Sequence, residues 1–469
     1  MNAFPATLLL IITGTVSAFC QTTVSWKETA TFPHMPANTG NLSIAVDKAT
    51  DDIYVGTIRS GIFRSKDQGN TWQQVMQDGV MIRTIVITED HMFATGIAVI
   101  YRSDDGGDTW SPFFVPTDHT ITDLVVTANG NVVVSTGDVE ELTDSTSNYT
   151  GDGIFISSDN GATWINSSTG LNQTKAISHL AIDSKGRLYA GSNHYQELSW
   201  HDAGTGVYYS NDTGRTWSRF DKIWFGTGSS RDHIRKIYEI LTLEVDEFDS
   251  VYVAYEGAGS NYQMSGSFRN SYEGAMSQTS WQPLKLRNEP DNWSFKPMNS
   301  FYRSAAGDLY ASIFSPVSRS TGGPYVQLNG YTGWQRSIEG IIPPFVGDEF
   351  GHRTCMFAET SRGNVFAIQH NDPRVYIAQK TIIPTGIHDL QPIEVTIYPN
   401  PANSRISIRQ GIPGELLCSL FAIDGKLISQ QPVSDDSSID VTTVPEGLYL
   451  LKIVSGNGQQ LTRKVSIVH

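Results

Sequence analysis

Two carboxyl groups that face each other, one protonated and one ionised, are enough to hydrolyse a glycosidic bond. This sequence supplies many: Asp138, Glu140, Glu141 and Asp144 in one segment, then Glu197, Asp202, Asp232, Glu256, Asp348 and Glu349. No spacing rule selects a pair among them, so no catalytic residue is singled out. Arginines able to grip a substrate carboxylate are spread as widely, at Arg59, Arg83, Arg231, Arg235, Arg303 and Arg353. Tyr195, Trp200 and Trp224 offer flat faces to sugar rings or peptide side chains. His194 and His201 lie on an unplaced loop and do not make a metal site, and no zinc-type cluster or phosphate loop is present. We therefore expect no metal or cofactor. The candidate ligand-binding set is Tyr195, Glu197, Trp200, Asp202, Trp224, Arg231, Arg235, Glu256 and Arg353.

The framework that positions them is more legible. Ser65–Trp72 (SKDQGNTW), Ser103–Trp110 (SDDGGDTW), Ser157–Trp164 (SSDNGATW) and Ser210–Trp217 (SNDTGRTW) share the pattern S-x-D-x-G-x-T-W. A short Asp side chain accepts backbone N–H bonds inside a hairpin turn, Gly supplies the permissive backbone, and Trp plugs an apolar gap. Asp67, Gly69 and Trp72 are thus structural, as are Asp105, Gly107 and Trp110, Asp159, Gly161 and Trp164, and Asp212, Gly214 and Trp217. A second phrase recurs upstream, beginning Ile53-Tyr54-Val55, Met92-Phe93-Ala94, Val132-Val133-Val134, Leu188-Tyr189-Ala190, Val251-Tyr252-Val253, Leu309-Tyr310-Ala311 and Val365-Phe366-Ala367.

Trp26, Trp72, Trp110, Trp164, Trp217, Trp281 and Trp334 follow one another at 38 to 64 residues. Units of that length hold four strands, and radial packing covers both faces of each sheet. The expected fold is an all-β propeller over 21–379, seven-bladed, with six or eight blades as alternatives. The N-terminal strand is expected to complete the last blade. The Asp turns join third and fourth strands, so a ligand would use the opposite face. The longest connections gather there: 137–152, 192–206, the passage around Trp224–Arg235, and 341–354.

The S-x-D-x-G-x-T-W units resemble the Asp-box, or BNR, repeats of sialidase-like, sortilin-type and xyloglucanase-like propellers. That resemblance implies the architecture and leaves function open, because enzymes, receptors and assembly factors share the scaffold. The Arg-Ile-Pro segment typical of sialidases is absent. Xyloglucanases pair two propellers, whereas this chain has residues for one; Asp47 and Asp183 resemble that family's strand-end motif and equally suit ordinary turns. The function expected is glycan or protein binding, with a glycoside hydrolase using paired rim carboxylates as the alternative.

After a linker at 380–392, residues 393–469 contain seven short strands and read as a small Ig-like β-sandwich. Val395–Ala402 (VTIYPNPA), Phe421–Lys426 (FAIDGK), Gly447-Leu448-Tyr449 and Thr462–Val465 (TRKV) closely resemble the C-terminal sorting domain of the type IX secretion system of Bacteroidota. The resemblance implies that secretion machinery as a partner, and a secreted or surface-attached protein. Residues 1–20 read as a signal peptide, with cleavage after 18 or 20; Phe19 before Cys20 disfavours lipidation. The formal net charge of −15 excludes a general affinity for nucleic acid. No later stretch has the length of a membrane helix. Cys355 and Cys418 read as isolated buried thiols.

Overall fold

The computed structural model describes residues 20–33, 40–77, 79–142, 146–171, 175–192, 206–219, 237–257, 266–270, 282–284, 298–313, 323–331, 333–342, 355–370, 372–384, 395–410, 416–423, 426–433, 437–455 and 460–469. The chain divides into two compact units, the larger spanning Val24–Gln379 and the C-terminal one beginning at Lys380. The strand Val375–Pro384 runs into the segment read as a linker.

The larger unit contains, among the described residues, seven four-stranded sheets and one two-stranded hairpin. Six sheets use four strands in chain order, each antiparallel to the next. Their first strands are Asn41–Val46, Ile85–Ile87, Ile121–Val126, Ile177–Ile182, Ile237–Val245 and Met298–Arg303. The seventh sheet begins with Cys355–Glu359. These first strands touch their neighbours in cyclic order, and the seventh touches the first. The sheets thus form a closed ring around a central channel.

The second strand of each sheet is covered from both sides. Ile53–Thr57, Met92–Thr95, Val132–Thr136, Leu188–Ser192, Leu309–Ile313 and Val365–Gln369 are buried along their whole length. This is why they read as continuous apolar runs rather than alternating ones. Seven apolar clusters fill the seven gaps between adjacent sheets. One joins Tyr54 and Ile62 to Ile82 and Met92, for instance, and another joins Phe366 and Ile368 to Val55 and Phe63. At roughly 1.5–3 kcal/mol for each large side chain buried, these gaps dominate the stability of the ring.

Closure comes from the N-terminus. The strand Cys20–Glu28 is the outermost of the seventh sheet, beside Val375–Pro384. Trp26 is that sheet's tryptophan: its N–H donates to Glu339 O at 2.8 Å and its indole N–H to Ser337 O at 2.8 Å. Trp217 bonds the same way to Thr169 O and Ser167 O, both at 2.8 Å. Gly340 and Gly170 sit against these tryptophans with φ of 84° and 94°. A Cβ at either would collide with the carbonyl of Trp26 or Trp217. Glycine is required there by the close approach as well as by φ.

The four Asp turns share one bond pattern. In the second sheet the Ser103 hydroxyl donates to Asp105 Oδ1 at 2.7 Å while accepting the Gly107 N–H at 2.8 Å. Thr109 donates its N–H and hydroxyl to the two carboxylate oxygens at 2.8 and 2.6 Å. At Asp105 and Asp159 the bonds from Thr109 and Thr163 hold the pKa at about 2. At Asp212 burial pushes the other way, but bonds from Ser210 and Thr216 prevail and the value is again about 2. The preceding expectation that every Trp is a plug needs correction. Trp72 and Trp217 are buried, but Trp110 and Trp164 are only half-buried.

In the C-terminal unit, a three-stranded sheet (395–398, 405–410, 437–440) and a four-stranded sheet (427–433, 416–422, 447–455, 460–467) enclose one core. Its centre includes Ile406, Leu420, Leu451 and Val465. Asn400 explains part of the Y-P-N-P run. Its amide donates to Lys464 O at 3.0 Å and accepts the Ser466 N–H at 2.8 Å, clasping the last strand. Cys355 and Cys418 are buried, each in a separate unit.

Three outcomes are expected. Trp26→Ala should cost roughly 3–5 kcal/mol in urea unfolding, and Trp110→Ala clearly less; equal costs would contradict the burial difference. Thr213, a β-branched residue at φ 59°, is strained where Asn160 and Gly106 occupy the same turn position, so Thr213→Asn should raise stability by about 1 kcal/mol. The Asp-turn carboxylates have folded pKa values depressed to about 2 from 3.8. The stability they contribute is therefore present above about pH 4 and lost as pH falls toward 2. Asp105→Asn should lose less stability over that interval than the parent, measured by thermal melts.

Candidate functional site at the channel mouth

Antiparallel order within each sheet alternates the connections between the ends of the ring. The Asp turns share one end with the turns between first and second strands. There Asp47 accepts bonds from Ala49 N–H and the Thr50 hydroxyl, each at 2.9 Å. Asp183 accepts Lys185 N–H at 3.1 Å and Arg187 N–H at 2.8 Å. Both are turn aspartates, far from the other mouth along their strands. At that opposite mouth, the third sheet's long connection is a hairpin rather than an irregular loop, pairing Asp138–Leu142 with Thr146–Thr150.

Most sequence-derived candidates lie outside the described residues: Tyr195, Glu197, Trp200, Asp202, Trp224, Arg231, Arg235 and Arg353. Glu256 is described only in its backbone, which pairs with Glu239 in the fifth sheet. Strands flanking these segments end at the mouth opposite the Asp turns. Arg303 belongs elsewhere: it bonds Asp246 at 3.3 Å and covers the Phe248 ring.

The described residues bring a different set together. A cavity of about 880 Å³ occupies the channel, walled by the first strands of all seven sheets. Those strands carry a repeated irregularity. The register slips by a β-bulge between Asn41 and Ser43, Ile121 and Asp123, Ile177 and His179, Ile240 and Thr242, and Met298 and Ser300. A bulge re-aims the side chains beside it, and here each lies on the channel wall.

Hydroxyls and carboxyls on this wall bond from one sheet to the next. The Ser43 hydroxyl donates to Ile82 O, Thr122 to Ile177 O, Ser178 to Ile240 O and Ser300 to Cys355 O, at 3.4, 2.5, 3.4 and 2.5 Å. Asp123 spans three sheets, accepting the Thr84 hydroxyl at 3.3 Å, Leu124 N–H at 2.8 Å and Leu180 N–H at 2.9 Å. Glu244 Oε1 accepts Phe301 N–H at 3.4 Å and the Thr242 hydroxyl at 3.3 Å. Asn41 closes the circle, donating its N–H to Asp372 O at 3.0 Å and its amide to Arg374 O at 2.9 Å.

Asp123, Glu244 and His179 are half-buried, open to the cavity but surrounded by protein on every other side. Desolvation raises Asp123 to about 6 against its backbone bonds. It raises Glu244 to about 7, with the Asp123 charge adding to the effect. It lowers His179 to about 4. Near pH 6, then, the channel holds a neutral imidazole and two carboxyls that are at least partly protonated. At the mouth, His119 bonds Asp138 at 2.8 Å and lies 4.0 Å from Asp152. Asp138 also accepts Thr120 N–H at 3.1 Å. Arg83 lines the same mouth with its side chain exposed; the protein around it lowers its pKa, against the Asp138 charge, which raises it.

Sequence reading missed Asp123 and Glu244. Their signal was a carboxylate in the middle of an otherwise apolar strand, ITDLVV and ILTLEV.

Residues 396–468 match the family described as the secretion system C-terminal sorting domain. The C-terminal unit is a secretion sorting domain. Residues 101–112 match the BNR/Asp-box repeat, in the second sheet of the propeller. No curated protein matches the chain. Among solved structures, YCF48 bound to D1 peptide aligns with a TM-score of 0.50 at 10% identity, over 78% of this chain and 97% of that one. PorZ, a surface component of the type IX secretion system of Porphyromonas gingivalis, aligns at 0.48 and 13%, over 91% of this chain and 59% of that one. An ancestral GH74 enzyme aligns at 0.46 and 14%, over 93% and 63%. The likeness to YCF48 is one of fold. The sorting tail indicates export through the type IX system to the cell surface or the extracellular space. No helix among the described residues is long and apolar enough to cross a membrane.

Raised folded pKa values make the channel acids stabilising at low pH. Their contribution is complete below about pH 4 and lost as pH rises through 6 to 7. Melting temperature should therefore fall between pH 5 and pH 8, and Glu244→Gln should flatten that fall. An unchanged slope would mean that Glu244 is ionised throughout.

Proposed function

We propose that this exported propeller binds a glycan or protein ligand at the channel mouth opposite its Asp turns. The observation that carries the reading is the division of labour between the two ends. At one end the Asp-turn carboxylates are consumed within their turns: Asp67, Asp105, Asp159 and Asp212 each bond a serine and a threonine of the same hairpin. At the other end a wide cavity opens among polar groups that point inward, beside the hairpin of the third sheet. We read residues 1–20 as a signal peptide, 21–379 as the binding module, 380–392 as a linker and 393–469 as the export address.

A glycoside hydrolase is the second reading, and one observation favours it. Asp123 and Glu244 wall the same cavity and hold protons near neutral pH, as a general acid must. Their bonds to neighbouring sheets supply a simpler reason for their presence, which supports binding over turnover.

The experiment is a glycan array probed with the full chain, paired with a reducing-sugar assay on each glycan retained. Binding without product is expected. Product formation that disappears in both Asp123→Asn and Glu244→Gln, with melting temperature preserved, would replace binding by hydrolysis. Absence of binding to glycans and to extracellular proteins alike would overturn the reading.

A further inference from the structure

Arg83 is the only arginine or lysine among the described residues that walls the channel cavity. Other channel-facing charges are committed. Asp138 is taken by His119 and Thr120 N–H, and Asp123 by Thr84 and two backbone amides. Three other arginines of the ring are paired: Arg64 with Asp108 at 2.6 Å, Arg102 with Asp104 at 2.9 Å, and Arg374 with Asp372 at 2.5 Å. No hydrogen bond or ion pair engages the Arg83 guanidinium among the described residues, and its side chain is exposed at the mouth. A planar fork of five donors is thus held open where a ligand would first arrive.

Depth matters as much as the arginine. Arg83 precedes the strand Ile85–Ile87, at the mouth end, whereas Asp123 lies inside its strand and Glu244 lies close to the far turn. At the mouth an anion finds the Arg83 guanidinium, although the Asp138 charge lies near it; below, the described wall offers no Lys or Arg. The ligand must therefore place its negative group at the top and a neutral, polar portion beneath. The wall beneath suits such a portion: hydroxyls of Thr84, Thr122 and Ser178 alternate with Leu180, Leu243 and Phe301. A sugar ring, with hydroxyls at its rim and C–H groups on its faces, matches that mixture.

An extended peptide matches it poorly. Adding a strand requires open backbone donors and acceptors on an exposed edge. Along the channel, Ile82 O, Ile177 O, Ile240 O, Cys355 O, Leu180 N–H and Phe301 N–H are already bonded by side chains of the neighbouring sheet.

The geometry points to a carboxylate-bearing oligosaccharide, a uronate, as the ligand class of this mouth, with Arg83 as its carboxylate anchor; this rests on the binding function proposed above. The acid recognises the guanidinium through charge-assisted, bidentate bonds.

The test is calorimetric titration of the full chain with an oligogalacturonate, with the same oligomer as its methyl ester, and with a neutral oligosaccharide. The acid should bind about ten- to a hundredfold more tightly than the ester. Arg83→Ala should remove that advantage while leaving ester binding and melting temperature unchanged. Arg83→Lys should restore it only in part, and Arg215→Gln at the exposed Asp-turn end should have no effect. Equal binding of acid and ester, or acid binding that survives Arg83→Ala, overturns the uronate assignment while the wider binding function stands. Arg83-dependent capture of a peptide carboxylate with no binding of the uronate also overturns it. No binding of any glycan or protein in the array above removes both.

Discussion

A sheet that is apolar on both faces cannot stand alone in water, and the architecture of this protein follows from that constraint. Each four-stranded unit buries a second strand such as Ile53–Thr57 or Leu309–Ile313 on both sides. Each therefore needs a neighbour before and after it. A linear stack would leave two open faces; a ring leaves none. Closing the ring demands that the last sheet be completed by whatever is available, and the available strand is Cys20–Glu28. Trp26 then repeats, across a gap of 311 residues, the contacts that Trp217 makes with the sheet before it.

Ring closure creates a second problem at the centre. The first strands of the sheets are edge strands, and their outward backbone groups face a narrow channel. Every buried donor or acceptor there needs a partner. The bulged strands meet this need by turning serine, threonine, asparagine and carboxyl side chains sideways onto the next sheet. Asp123 serves three sheets at once, and Glu244 reaches Phe301 in the sheet beyond. The raised pKa values of both acids are a consequence of using carboxyls for this task under deep cover.

Channel acids and turn acids therefore respond to pH in opposite senses. Asp105 sits in a hairpin that satisfies the ionised carboxylate with a hydroxyl and amides, so folding favours loss of the proton. Glu244 sits where fewer donors reach it and protein surrounds it on every side but the cavity, so folding favours retention. The same residue class stabilises the outer turns as an anion and lines the channel as a neutral acid. At the mouth, the Arg83 guanidinium has no carboxylate within bonding distance among the described residues.

The repeat was legible because its information is local. The pattern S-x-D-x-G-x-T-W specifies its own hydrogen bonds within eight residues, so the turns, the strands around them and the all-β class follow from sequence alone. The sorting domain was legible for the same reason, since its motifs lie on contiguous strands. The channel wall was not: Arg83 was one of several scattered arginines, and Asp123 and Glu244 were not singled out. Arg83, Asp123 and Glu244 belong to three different sheets and come to wall one channel only when the ring closes. Their significance also depends on what reaches them: His119 occupies Asp138, Thr84 reaches Asp123, and nothing among the described residues reaches Arg83. Even the burial of Trp110 was misjudged, because a tryptophan's cover comes from the adjacent sheet. Sequence by itself determined the turns, the strand phrases and the export address, all set by short-range bonds and patterning. Tertiary structure alone decided which charges are spent and which remain, because burial and partnership are properties of the closed ring.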